Sequence, residues 1–196
     1  MKRIPWWAVA SAITAPVVLG AGLVLGQARQ PPGYSAVRDT ISALAAQGAT
    51  DRWVMTTALA GLGACHVVTA LGLHPARRTG RIVLGAGGVA TVLVAVFAQP
   101  ARGNSVAHTV SATVAFVALA GWPLWAAAPG SEAPLLRRPA SLGASTVLLG
   151  SVVWFAAELH GGHRGLAERA AAGLEALWPL VLVLTTRRSM ARVAAA

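Results

Sequence analysis

Charge is scarce in this sequence. Asp, Glu, Lys and Arg make up 11 % of its 196 residues, where a soluble domain carries about a quarter. Hydrophobic residues make up 56 %, and the mean hydropathy is +0.63. A soluble globular fold is excluded, and an integral membrane protein is implied. A single cysteine, Cys65, excludes an intramolecular disulfide, so the redox character of the compartment leaves no trace. The one lysine, Lys2, precedes the first apolar run, which removes mechanisms that need a lysine inside a helix. A Gly-x-Ser-x-Gly turn and a phosphate-binding glycine loop are also missing. Low-complexity tails, long linkers and a soluble domain are absent too. The predominance of arginine over lysine, with abundant alanine, fits a GC-rich bacterial genome.

Six apolar runs reach the roughly 20 residues that a hydrocarbon core of about 30 Å requires. They fall at approximately 5–26, 53–73, 82–99, 107–128, 139–159 and 167–186. The first stays apolar from Ile4 to Leu25, beyond the roughly 7–15 residues of a signal-peptide core, and is expected to be a retained helix. Ten basic residues (Lys2, Arg3, Arg77, Arg78, Arg81, Arg137, Arg138, Arg187, Arg188 and Arg192) fall on one side of a six-pass arrangement, with Glu132 the one acid there. Basic residues accumulate in short cytoplasmic loops, so both termini are expected in the cytoplasm of a bacterial inner membrane. The same placement explains the net charge of +10 without nucleic acid as a partner. The bilayer is the partner it implies.

The expected fold is therefore all-α: one polytopic domain over 1–196, six transmembrane helices, and a short interfacial helix at about 35–47. Residues 34–53 are helical in pattern but neither long nor apolar enough to cross. Read as a helix, Val37, Ile41 and Leu44 share one face and Arg38, Asp39 and Ser42 another, with Ser35 as N-cap and Gly48 as stop. Gly22 and Gly26 form a GxxxG, and Gly61, Gly63, Gly85, Gly87, Gly88, Gly143 and Gly150 thin three other helices. Small residues of this kind pack a membrane bundle internally, with an oligomer seam as the alternative. Pro123 and Pro179 are expected to kink their helices. Trp6, Trp7, Trp53 and Trp154 read as interface anchors, and Trp178 lies deeper.

Candidate chemistry collects at the other end of the bundle. An ionisable group within the hydrocarbon is a functional hypothesis by default, and His66 and Glu175 qualify. For His66 a histidine satisfied by internal hydrogen bonds is the plainer reading. Glu175 follows Glu168 by seven residues, so both lie on one helix face as a descending carboxylate stripe. Asp39 and Ser42 stand one turn apart beside Arg38, and His108 opens the fourth long helix. In a hydrolase reading Ser42 is the nucleophile, His108 its base and Asp39 the orienting acid. In a structural reading Arg38 and Asp39 pair across the bundle with Glu168, Arg169 or Arg164. His108, His160, His163 and Asp39 also suggest a metal site, but a His-x-x-His in a glycine loop has no fixed geometry, and no metal ligand is assigned.

Three segments together resemble a known family: Tyr34-Ser-Ala-Val-Arg-Asp-Thr-Ile-Ser-Ala-Leu followed by Trp53-Val-Met; Phe97 to His108; and Gly165-Leu-Ala-Glu-Arg169 followed by Leu177-Trp178. The pattern is similar to small six-helix bacterial and archaeal membrane proteins grouped as a domain of unknown function, DUF998. The resemblance covers nearly the whole chain and implies the six-pass topology. It singles out Arg38, Asp39, Ser42, His108, Glu168 and Arg169, and implies no substrate or cofactor.

The residues lead to a polar pocket at the extracytoplasmic face for the polar end of an amphipathic molecule such as a lipid or isoprenoid. Asp39, Ser42, His108 and Glu175 are its catalytic candidates. Arg38, Glu168, Arg169, Trp53, Trp154 and Trp178 are its binding candidates. Three functions remain open: an intramembrane enzyme working by hydrolysis or acid-initiated cyclisation, a small proton-coupled transporter or exporter, and a non-catalytic assembly subunit.

Overall fold

A computed structural model describes residues 3–195; Lys2, one of the basic residues used for topology, lies outside them. Seven α-helices and no strand occur among the described residues: α1 (Trp6–Gln27), α2 (Ile41–Ala45), α3 (Trp53–Gly72), α4 (Arg78–Val96), α5 (Val106–Ala126), α6 (Arg138–Ala157) and α7 (Arg164–Ala195). A single 3-10 turn, Pro134–Leu136, precedes α6. Six of the helices are long and apolar enough to cross a membrane. The chain is a multi-pass membrane protein.

Most helix ends lie close to the boundaries read from hydropathy; α7 instead continues past 186 to Ala195, beyond the apolar run, and α4 departs at its start for a local reason. α4 starts at Arg78, four residues before the apolar run. Its first turn is basic, and Arg81 reaches back to donate to the carbonyls of Ala70 (2.7 Å) and Leu71 at the end of α3. A cation there satisfies orphan carbonyls and opposes the negative end of the helix dipole. α1, α5 and α7 continue through Pro16, Pro123 and Pro179.

The interfacial helix is shorter than its pattern suggested. α2 has five residues rather than a span of 35–47, and Thr40, not Ser35, is its N-cap, accepting the Ala43 N–H at 3.0 Å. Ahead of it the chain makes a turn. The Ser35 carbonyl accepts from Arg38 N (3.0 Å) and Asp39 N (2.7 Å), and the Asp39 carboxylate accepts the Ser35 N–H (2.8 Å). An aspartate that bonds its own turn competes with helix propagation, which delays the helix to Ile41. Ile41 and Leu44 are buried as the pattern required, whereas Val37 is exposed.

The six long helices form a closed ring of neighbours, α1 against α3, then α4, α5, α6, α7 and back to α1. Large side chains such as Val17, Val24, Ile82, Val147 and Val153 face outward, as expected where the solvent is lipid. The interior is lined by small residues. Gly63 on α3 and Gly88 on α4 meet backbone to backbone, so that a Cβ on either would run into the other's carbonyl oxygen. Gly22 packs against Ala58 and Gly26 against Leu44, which places the GxxxG inside the fold. Gly143 and Gly150 instead lie on the exposed side of α6 with open space around them.

The core has two apolar halves. One gathers Ile4, Leu73, Leu84, Trp122, Leu136 and Leu182 near the termini; the other gathers Leu19, Ile41, Leu44, Met55, Leu59 and Val94 at the opposite end. By position along the helices, a polar layer separates them. In it Ser11 donates to the Cys65 carbonyl (2.7 Å), Thr69 to Ser11 (3.2 Å) and Thr91 to the Gly87 carbonyl (2.9 Å). His66 and Glu175 belong to the same layer and are buried.

Candidate functional site

The site is built where the segment between α1 and α3 docks on the first turns of α7. Leu166 N–H donates to the Val37 carbonyl (3.0 Å), and Arg164 Nε to the Arg38 carbonyl (2.8 Å). Arg169 Nη1 donates to the carbonyls of Asp39 (2.7 Å) and Gly165 (2.9 Å), and its Nη2 to the Tyr34 hydroxyl. Gly165 permits the approach, because a Cβ there would collide with the carbonyl oxygens of Asp39 and Ala36. These bonds hold α2 against the bundle and turn its first residues inward.

Glu168 meets them. Its Oε2 accepts the N–H of Ile41 and its Oε1 the Ser42 hydroxyl (3.1 Å), with the side chain 3 % exposed. A carboxylate at the first turn of α2 satisfies an orphan donor. Burial of the outer segment also reaches Tyr34, whose phenol is pushed above its ordinary value of 10.0, chiefly by desolvation and against the attraction of Arg169.

Glu168 and Ser42 line two adjoining chambers. The outer one, about 340 Å³, is also lined by His108, Gln99 and Phe155, and opens between α5 and α6 past Val117, Val152 and Leu159. The inner one, about 50 Å³, continues to His66, Thr91 and Glu175. Ala112 and Phe116 border both. The rings of Phe116 and Phe155 meet with centroids 5.3 Å apart across the α5–α6 seam.

His108 is held by its own helix start. Ser105 caps α5 by accepting the His108 N–H at 3.3 Å, and the ring Nδ1 lies 2.9 Å from the Phe97 carbonyl. A carbonyl only accepts, so this bond places the proton on Nδ1 and leaves Nε2 as the acceptor of the neutral ring. In the inner chamber both ring nitrogens of His66 and Oε1 of Glu175 are buried without a hydrogen-bond partner.

Of the residues singled out in the sequence, the structure brings Ser42, His66, His108, Glu168 and Glu175 to this cavity. Asp39 is elsewhere: its carboxylate closes the Ser35 turn and its carbonyl receives Arg169. Ser42 gives its hydroxyl to Glu168 rather than to His108. Arg38 is exposed and donates to the Gly33 carbonyl (3.4 Å). Arg169 is a clamp on the outer segment. Trp53 and Trp154 are exposed, and Trp178 packs on the apolar half near the termini. His163 stays near Glu158, 3.9 Å away, in the exposed α6–α7 turn. No group of three His, Cys, Asp or Glu side chains positioned to hold a metal occurs among the described residues.

Thr40, Gln99, Thr91 and Phe116 also line the cavity and were not singled out. Thr91, a hydroxyl in the middle of an apolar run, was the one with a readable signal. The family model for DUF998, described as a protein of unknown function, matches residues 6–185. Among curated proteins and among solved structures nothing matches. The chain belongs to the DUF998 family.

Proposed function

We propose that the protein is an intramembrane enzyme that receives the polar head of an amphipathic, membrane-resident molecule in the chamber between α5 and α6 and acts on it by proton transfer. One observation carries this reading. A buried carboxyl group, a hydroxyl and a histidine held through Nδ1 by the Phe97 carbonyl line a cavity whose mouth lies among the lipid-facing side chains of two helices. Laterally open sites of this form admit a tail from the bilayer while the head leaves it. His108 is the proposed base, acting on water or on Ser42, and Glu168 fixes the Ser42 hydroxyl. Acid–base contributions of this type are worth about 10²–10⁴ in rate.

The mouth lies at the end of the bundle opposite the paired arginines. The basic-residue asymmetry therefore supports a site on the extracytoplasmic side of a bacterial inner membrane, with both termini cytoplasmic. A lipid or isoprenoid substrate suits that side. A second reading, a proton-coupled exporter, is favoured by the inner chamber, where His66 and Glu175 extend the polar path beyond the point an outer-leaflet enzyme needs.

The test is incubation of purified wild type, His108→Ala and Ala112→Trp with lipid extracted from the native membrane, followed by mass spectrometry of the extract and of the intact protein. Product formed by wild type and lost in both variants, with unfolding temperatures preserved, supports the enzyme. Ligand bound by wild type and excluded by Ala112→Trp, with no product, moves the weight to the exporter. Binding and turnover unchanged in Ala112→Trp would sink the cavity altogether.

A further inference from the structure

The ionisable side chains of the cavity wall are acidic and imidazole groups alone. Glu168 and Glu175 line it, with His66 and His108, and no arginine or lysine is among its lining residues. The guanidinium of Arg169, next in the chain to Glu168, is not among the lining residues; its Nη1 goes to the carbonyls of Asp39 and Gly165 and its Nη2 to the Tyr34 hydroxyl, while its Nε has no partner. Neither carboxylate takes part in an ion pair among the described residues. The inner chamber adds an independent sign of a missing ligand. Oε1 of Glu175 and both nitrogens of His66 are buried without partners, with their residues 2 % and 1 % exposed. Buried polar atoms are normally satisfied; Oε1 of Glu175 and the acceptor nitrogen of a neutral His66 call for an occupant that can donate hydrogen bonds, and the His66 N–H has the Glu175 backbone beside it.

We propose that the head group taken into this cavity is cationic, an ammonium on a single apolar tail, seated between Glu168 and Glu175 with the tail leaving between α5 and α6. This rests on the reading of the cavity as an amphiphile site and names the chemical class it selects. An anionic head such as a phosphate would find two carboxyl groups and no arginine or lysine on the wall to meet it, and an unpaired buried charge is strongly disfavoured. An ammonium has donors for the Glu175 and Glu168 oxygens and for a neutral His66. The face of Phe116, which borders both chambers, is a favourable neighbour for a desolvated cation. Val117, Val152 and Leu159 at the mouth suit an alkyl tail.

Dodecylammonium, dodecanol and dodecyl phosphate, of equal tail length, are offered at equal concentration to the purified full chain in neutral detergent, and bound adducts are counted by native mass spectrometry. Wild type is measured beside Glu175→Gln and Ala112→Trp. The ammonium adduct is expected to exceed each of the others by about tenfold or more, to fall by about tenfold in Glu175→Gln, and to vanish in Ala112→Trp. A charge-assisted hydrogen bond is worth about that ratio. Dodecanol or dodecyl phosphate bound as well as the ammonium, and lost in Ala112→Trp, would overturn the charge preference while leaving an amphiphile cavity in place. Ammonium retained equally by wild type and Ala112→Trp would assign it to adsorption elsewhere and overturn the proposal. No adduct of any probe would overturn both the preference and the cavity reading. The comparison of probes on wild type needs no variant to fold.

Discussion

The carboxylate of Glu168 accepts the backbone N–H of Ile41, 127 positions earlier in the chain, and with its other oxygen the hydroxyl of Ser42. One side chain of α7 thereby fixes the start of α2 and forms part of the cavity wall. Structure and site are coupled at this residue, so its substitutions are informative.

Glu168→Ala leaves the buried Ile41 N–H and the Ser42 hydroxyl without their acceptor, which costs about 1–3 kcal/mol for an unsatisfied group. Glu168→Gln keeps an acceptor oxygen and is expected to lose less. Unfolding in mixed micelles reads the order wild type, Gln, Ala. Amide exchange at Ile41 and Ser42 should accelerate in the Ala variant while α4 is unchanged. Equal stability of all three would show that the capping bond carries no weight.

Gly165 tests the same docking from the backbone. A methyl group there meets the carbonyl oxygens of Asp39 and Ala36, whereas Gly162, three residues earlier, has open space around it. Gly165→Ala is expected to displace the 34–46 segment at a cost of about 1–3 kcal/mol, typical of overpacking. Gly162→Ala is expected to be near neutral. Limited proteolysis of the outer segment separates the two, and equal cleavage would contradict the close approach.

Much of the fold was legible because hydrocarbon thickness imposes a length and composition on each crossing, and the six apolar runs satisfy both. The candidate site was legible only as residue types. Helical spacing joined Asp39 to Ser42, but the Asp39 carboxylate closes its own turn and the helix begins after Thr40. The carboxylate that does reach Ser42 lies 126 positions away, and no local period encodes that distance. His66 lies beside the Glu175 backbone and lines the inner chamber, a placement that pairs two helices and that no local period encodes. Glu168 and Glu175 were linked correctly, since seven residues on one helix is a local relationship.

Tyr34, the one tyrosine in the chain, reports the docking without a label. Desolvation raises its phenol above 10.0, outweighing the opposing charge of Arg169. The folded state then holds its proton to higher pH than the unfolded state. The stability it contributes is complete below 10.0 and is lost as pH rises through the higher folded value. Tyrosinate absorbance during alkaline titration should show a midpoint above 10.0 in the folded protein and a return to the ordinary value after unfolding. A folded midpoint at or below the ordinary one would mean that the outer segment does not bury this residue.

The side of the membrane on which the cavity opens decides which substrates reach it. Gln47, beyond α2, and Glu132, between α5 and α6, are both exposed and lie at opposite ends of the bundle. In a Cys65→Ala background, Gln47→Cys should react with a membrane-impermeant maleimide in intact cells, and Glu132→Cys only after lysis. Arginines 77, 78, 137 and 138 lie at the Glu132 end, where the asymmetry of basic residues predicts cytoplasm. The reverse labelling pattern would turn the molecule over. Glu168 and His108 would then face the cytoplasmic leaflet, and an extracytoplasmic substrate would lose its route to the mouth between α5 and α6.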